Sequence, residues 1–393
     1  MKYNFDEIID RRNTDSLKVD GVSARWGRDD LIPMWVADMD FKTPPFILDA
    51  IRERCDQGIL GYTLQTERYF NAIQNWIHKR YNWNISPDMI QFTPGVVSGL
   101  AYIIKSLTKP GDKILIQTPV YHPFFIYTEK NDRVPVFNPL ILEEGHYKFN
   151  IPQFKELIKE CKLFILCHPH NPGGRVWSKE ELEEIAEICY EHQVPVISDE
   201  IHADLTLPGH IHTPFATISE KAKSNSITLM AASKAFNIPG LSSAYMITEN
   251  KEFRKKLMDE ISLCEGEKGH IFAFTAIEAA YGKGSEWLQQ LTGYINENVN
   301  TLETFAKEYL PKIKVIRPQA SYLVFLDCRE LELPQQELVN FFVEDAHLAL
   351  NDGSVFGKEG IGFMRMNVGC PRIILQKALN NLKNAYDKRF TEK

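Results

Sequence analysis

Between residues 163 and 198 the chain reads LFILC, then SKEELEEIAEICYEH, then VPVIS. The outer two runs lack the polar alternation of a half-solvated strand, so both faces of each must be covered. The stretch between them opens on Ser178, with Glu181 three residues later. That is a capping box, and the apolar residues after it recur at helical spacing. A strand–helix–strand unit of this kind predicts a mostly parallel sheet buried under helices. Residues 114–117 (ILIQ) follow the turn Lys109-Pro110-Gly111-Asp112 and read as another strand of that sheet, as do residues 227–231 (ITLMA). This α/β domain is assigned to residues 48–285.

The pattern changes beyond it. Residues 286–309 read as one long helix, 313–317 and 322–326 as strands, 333–346 as a helix and 362–368 as a last strand before a closing helix from Pro371. Helices and strands in this order predict a smaller α+β domain. Residues 1–47 carry little periodicity and are assigned to that smaller domain, which comprises 1–47 and 286–393.

Composition excludes several classes. Net charge is -7 with no basic stripe, which argues against a nucleic-acid surface built on Lys and Arg. No run reaches the roughly 18 apolar residues of a membrane span. The N-terminal MKYNFDEIIDRRNTD has no apolar signal core, so a cytoplasmic location is expected. The seven cysteines are scattered without a CxxC pair, as expected of reduced thiols rather than a disulfide framework or a zinc cage. His122, His168, His170 and His202 come without an HxxxH helix or matched carboxylates, so no metal is expected.

Open α/β sheets bind ligands beyond the carboxyl ends of their strands. LFILC is followed by His168-Pro-His-Asn171-Pro-Gly-Gly174, VPVIS by Asp199-Glu200-Ile-His202, and ITLMA by Ala232-Ser233-Lys234. Thr93-Pro94-Gly95-Val96-Val97-Ser98 opens an amphipathic helix, and a helix N-terminus suits a phosphate. Taken singly, Asn171 reads as a turn residue, Asp199 as a cap and Lys234 as a solvated loop lysine. Together they recur at one edge of the sheet, 28 positions from Asn171 to Asp199 and 35 from Asp199 to Lys234, each close to one βα unit.

That order resembles the fold-type I pyridoxal-phosphate enzymes of the aspartate aminotransferase superfamily. The stretches PMWVADMDF (33–41), GYT (61–63), TPGVV (93–97), PVYHPFF (119–125), PHNPGGRVW (169–177), SDEIHADL (198–205) and SKAFNIPGL (233–241) together resemble the MalY/PatB-type cystathionine β-lyases, the cystalysin-like C–S lyases. The resemblance implies the PLP-dependent transferase fold and pyridoxal 5′-phosphate as cofactor. It implies that Lys234 forms the Schiff base and acts as general base, that Asp199 faces the pyridine nitrogen, that Asn171 donates to the ring oxygen and that Tyr121 stacks on the ring. Gly95, Val96, Val97 and Ser233 would hold the phosphate, helped by Tyr62 from the second subunit of a homodimer. Arg365 would grip the substrate carboxylate, with Trp35 and Asp38 in the segment at the substrate entrance.

Three departures from the aminotransferase pattern stand out: Ser242 where many carry a phosphate-binding arginine, Ala231 where they often carry Ser or Thr, and His202 in place of a tyrosine. They turn the expectation toward β-elimination from L-cystathionine or a related S-conjugate, giving thiol, pyruvate and ammonia. The rival readings are an aminotransferase of a monocarboxylic or aromatic amino acid, and a regulatory protein acting through protein contacts.

Overall fold

A computed structural model describes residues 2–391. Its central element is a seven-stranded sheet in the order Ile90–Thr93, Ala244–Ile247, Ser226–Met230, Val196–Asp199, Leu163–Cys167, Lys113–Thr118, Val134–Pro139. Only Ala244–Ile247 runs against the rest, pairing antiparallel with both of its neighbours. The parallel register aligns Cys167 with Asp199 and Asp199 with Leu229, so the chain leaves adjacent strands along one edge.

Every residue of Leu163–Cys167 is buried, as its unbroken apolar run demands. Alternate side chains enter different cores. Phe164 and Leu166 pack with Leu182 and Ile185 of the helix Lys179–Glu191. Leu163 and Ile165 pack with Leu100, Ile103 and Ile104 of the helix Val96–Leu107. The Lys179–Glu191 helix opens with the expected capping box between Ser178 and Glu181. The Val96–Leu107 helix lies close on the sheet because Gly99 has no side chain: a Cβ there would meet Leu229 at 2.7 Å.

A second, antiparallel sheet orders Lys314–Ile316, Leu323–Asp327, Phe363–Asn367 and Asn351–Asp352. The long helix Ser285–Tyr309 and the closing helix Arg372–Tyr386 accompany it. The structure departs from the sequence reading in detail. The expected strand 194–198 begins two residues later and ends on Asp199. The expected helix 333–346 is α-helical over Gln335–Asn340 and continues as a π-helical turn, Phe341–Asp345. The strands Ile90–Thr93, Val134–Pro139 and Ala244–Ile247 carried no distinct signal, being short or edge-lying.

The N-terminal segment touches both sheets' surroundings. Ile32–Pro33 pairs with Leu348–Ala349. A few residues on, the Asn237 side chain accepts from the Met39 N–H and donates to the Met39 and Phe41 carbonyls. Among the described residues no helix is long and apolar enough to cross a membrane.

Candidate active site

The strand ends converge on a cavity of about 340 Å³. Gly95, Val96 and Val97 line one end of it, and Tyr121, Asn171, Asp199, His202, Ser233 and Lys234 line the rest. Nine of the thirteen expected residues therefore meet in one space. Trp35, Asp38, Arg365 and Tyr62 are not part of its lining.

Lys234 lies four positions beyond the end of the Ser226–Met230 strand, past three small residues. Its Nζ donates to the Ala37 carbonyl at 2.7 Å. Burial and the nearby Arg365 guanidinium pull its pKa down to about 8. An ammonium taken out of water loses hydration that one carbonyl cannot replace, so the neutral amine gains. Asp199 shows the converse: burial pushes its carboxyl up to about 7. Its carboxylate accepts from the Ile201 N–H at 3.1 Å, which leaves most of its acceptor capacity facing the cavity.

Asn171 is oriented by its neighbours. Its Oδ1 accepts from Arg365 Nη1 at 3.1 Å, which leaves the amide NH₂ as a free donor. Its carbonyl accepts from the Tyr121 N–H, tying the Tyr121 loop to the Asn171 turn. Tyr121 is half-buried, and its hydroxyl pKa is raised by burial and by Asp199. His202 is buried, its imidazole held neutral by burial, Lys234 and Arg365 down to about 3, and its Nδ1 has no partner.

At the other end, Gly95 caps the Val96–Leu107 helix at φ 141°, a conformation that suits glycine, and no side chain caps the first turn. The leading N–H groups of a helix have no intrahelical acceptor, and here they border the cavity. Ser243 joins them: it lines the cavity, is 5% exposed, and its Oγ is buried without a partner. Sequence reasoning stopped at the neighbouring Ser242 and missed it; the only signal was a second hydroxyl in GLSS.

The remaining expected residues act differently. The Trp35 side chain is buried in a satellite core with Val22, Leu31, Val343 and Ala349. Its carbonyl, not its ring, reaches Arg365, accepting from Nη2 at 3.1 Å. Asp38 turns away from the cavity to Arg11 (2.7 Å) and Lys18 (3.8 Å). Lys18 itself is buried, and also holds Asp40 at 2.8 Å. The PMWVADMDF stretch is thus a pinned backbone that presents the Ala37 carbonyl to Lys234 and to the Tyr322 hydroxyl. Trp35 and Asp38, expected in the segment at the substrate entrance, have their side chains tied into this anchoring.

Arg365 is buried. It donates to Asn171, Trp35 and Asn351, and its Nε has no acceptor among the described residues. Asn351, which the sequence reading did not single out, holds Nη2 at 2.7 Å. Tyr62 is fully exposed in the single chain, in a segment where Ile59, Leu60 and Leu64 are exposed too. Of the four histidines noted in the sequence, His168 Nε2 bonds the Thr213 carbonyl and His170 Nε2 the Pro119 carbonyl. Among the described residues no cluster of His, Cys, Asp or Glu could hold a metal ion.

The arrangement offers a near-neutral buried amine, a buried carboxyl at one end of the cavity's chemistry and uncapped N–H donors at the other. Comparison with known proteins agrees with it. Residues 29–382 match the family model for aminotransferase class I and II. The cystathionine β-lyase PatB of Bacillus subtilis (strain 168) is 42% identical over 386 residues, spanning 97% of this chain and 99% of that one. Protein MalY of Escherichia coli (strain K12) is 32% identical, spanning 98% of each. Among solved structures, cystalysin from Treponema denticola, which contains a pyridoxal 5′-phosphate cofactor, superposes with a TM-score of 0.96 at 33% identity, covering 99% of this chain and 100% of that one. The PLP-bound C–S lyase from Staphylococcus hominis gives 0.92 at 37% identity, covering 98% of both. Likeness of this extent, over nearly the full length of the chain, leaves one conclusion: the chain belongs to the aminotransferase class I and II family and has its fold-type I architecture.

Proposed function

We propose that this chain is a pyridoxal-phosphate-dependent carbon–sulfur β-lyase. Its substrates are L-cysteine S-conjugates such as L-cystathionine, which with water yield a thiol, pyruvate and ammonia. The observation that carries the reading is Lys234: a half-buried amine brought down to about 8, in one cavity with Asp199 and an uncapped helix N-terminus.

The residues present fit the cofactor. A phosphate needs donors without partners, and the first turn of the Val96–Leu107 helix and Ser243 Oγ supply them. Open space surrounds the missing side chain of Gly95, with no atom within 4 Å of a Cβ there. Asp199 would accept from a protonated ring nitrogen, the Asn171 amide and His202 would hold the ring's oxygen, and Tyr121 would cover its face. When bound, pyridoxal phosphate supplies an aldehyde that captures the substrate's amino group and a ring that takes up the electron pair left at Cα.

The chain's own residues then do the rest. Arg365 receives the substrate's α-carboxylate; its Nε–H is a buried donor with no acceptor among the described residues. Three protein acceptors already fix its plane, so the carboxylate meets a preorganised cation. Lys234, neutral at pH near 8, removes the proton from Cα. Asp199, a buried carboxylate, would keep a proton on the cofactor's ring nitrogen. The thiolate then leaves from Cβ, and Lys234 Nζ is the proton source within the cavity. We infer that a second copy of the chain supplies Tyr62 to the phosphate, because the Ile59–Leu64 side chains project apolar surface with nothing against it in the single chain.

The test is direct. The purified protein, loaded with pyridoxal phosphate and given L-cystathionine, should release pyruvate and free thiol in equal amounts. Keto-acid-dependent amino transfer without pyruvate from any cysteine conjugate would replace the lyase with an aminotransferase. A protein that never takes up the cofactor would remove both.

A further inference from the structure

One cation beside the site is used by nothing described so far. Arg25 lies in the last turn of the short helix Gly21–Trp26. Its guanidinium lies 5.0 Å from the ring of Trp35 and 5.2 Å from the ring of Trp26, and those two rings meet edge-to-face at 5.2 Å. It is solvent-exposed, and it forms no ion pair among the described residues. An exposed arginine normally samples many rotamers, so two aromatic faces holding one place its charge at a defined spot.

That spot is tied to the substrate arginine through Trp35. Trp35 gives its ring to Arg25 and its carbonyl to Arg365. The indole is itself fixed, Nε1 donating to the Lys18 carbonyl at 2.9 Å. His122, next to the Tyr121 that lines the cavity, feels both cations: burial, then Arg365, then Arg25, lower its pKa. Its Nδ1 is buried and has no partner. On the far side, His122 packs edge-on to Phe356, over which Arg365 lies at 4.9 Å. The neighbourhood thus holds one guanidinium assigned to an α-carboxylate, one held nearby with no anion of its own, and a neutral imidazole with a free nitrogen.

We propose that Arg25, with His122, forms a second anion subsite that takes an acidic group at the far end of an S-substituted cysteine. This rests on the lyase reading and sharpens it: the chain prefers thioethers whose leaving group carries a carboxylate. The α-carboxylate goes to the dry, preorganised Arg365. The distal carboxylate goes to the wetter Arg25, where it gains less and is screened by salt.

The experiment compares S-(2-carboxyethyl)-L-cysteine with neutral S-propyl-L-cysteine on the cofactor-loaded enzyme and its Arg25→Gln, Arg25→Lys and Arg25→Glu variants. Arg25→Gln should lower kcat/KM for the acidic conjugate about five- to tenfold, mostly through KM, as expected for one lost charge-assisted contact. The neutral conjugate should change less than about twofold. Arg25→Lys should keep part of the preference, Arg25→Glu should reverse it, and 0.5 M salt should shrink it. Equal losses for both conjugates would overturn the subsite and leave Arg25 a structural cap on its helix. A binding arm keeps this separate from the reaction itself: L-2-aminoadipate and L-norleucine, neither able to eliminate, are titrated by the change in cofactor absorption. If wild type releases no pyruvate from either thioether, the lyase reading fails, while loss of aminoadipate discrimination in Arg25→Gln still supports the subsite. Absence of that discrimination in wild type sinks the subsite whatever the reaction.

Discussion

Asp199 and Glu200 are neighbours in the chain, both enclosed, both with carboxyls pushed up to about 7 by burial. Their surroundings differ completely. Glu200 points away from the cavity and has its acceptors filled: Ser198 Oγ at 2.8 Å, the Phe215 N–H at 2.9 Å and His212 Nε2 at 2.6 Å. His212 in turn stacks near His168, ring centroids 4.2 Å apart. Asp199 has one backbone donor and an open cavity in front of it. A perturbed carboxyl therefore does not by itself mark chemistry. Burial perturbs both; unfilled acceptor capacity facing a cavity distinguishes the one placed to act from the one placed to hold the loop after its strand.

The comparison can be broken at its strongest point first. Lys234→Ala should abolish pyruvate release, by about 10⁴-fold or more, because one amine is asked to serve as attachment point and base. Melting temperature of the cofactor-free protein should not fall, since the change removes a buried charge that has only a carbonyl for a partner. The next largest effect separates the two carboxyls. Asp199→Asn should cost about 10²- to 10³-fold in kcat with little change in thermal stability. Glu200→Gln should do the reverse, losing about 1–3 kcal/mol of stability as a filled acceptor becomes a mismatched amide, with kcat changed far less. Similar kcat losses for both would erase the distinction.

A third measurement reads Lys234 directly. Its amine attacks an aldehyde only when neutral, so capture of added pyridoxal phosphate by the cofactor-free protein should rise about tenfold per pH unit up to about 8 and level off above it. The sign in stability is fixed too. The folded-state pKa is below the unfolded 10.5, so between about 8 and 10.5 the unfolded chain binds the extra proton and the cofactor-free fold gains stability as pH rises. A capture midpoint near 10.5 would mean that the amine is solvated. The smallest effect concerns the phosphate end. Ser243→Ala should weaken cofactor binding about three- to tenfold, the worth of one hydrogen bond, measured as the cofactor dissociation constant. Unchanged binding would return the phosphate to backbone donors and Ser233.

Much of this site was legible because each member carries its own local context. Asn171 sits in a Pro/Gly turn, Asp199 ends an apolar strand and Lys234 follows one, all at βα spacing. The capping box at Ser178 and the apolar strand 163–167 hold for the same reason: their causes lie within a few residues. What escaped depends on distant partners. The Ala37 carbonyl that meets Lys234 is 197 positions away, and the Trp35 carbonyl that meets Arg365 is 330 away. Ser243 gained its role only when the antiparallel strand Ala244–Ile247, which it leads into, took its place beside Ile90–Thr93 and left the Ser243 hydroxyl buried without a partner at the cavity.

By itself, then, the sequence determined the kind of sheet, the order in which polar groups leave it and the chemistry those groups can support. These follow from periodicity, caps and residue types, which act over one or two turns of chain. The tertiary structure decided which carboxyl faces a cavity, how far burial shifts each amine and acid, and that Trp35 and Asp38 serve as anchors. Those depend on dielectric surroundings and on partners brought from hundreds of residues away, which no local pattern encodes.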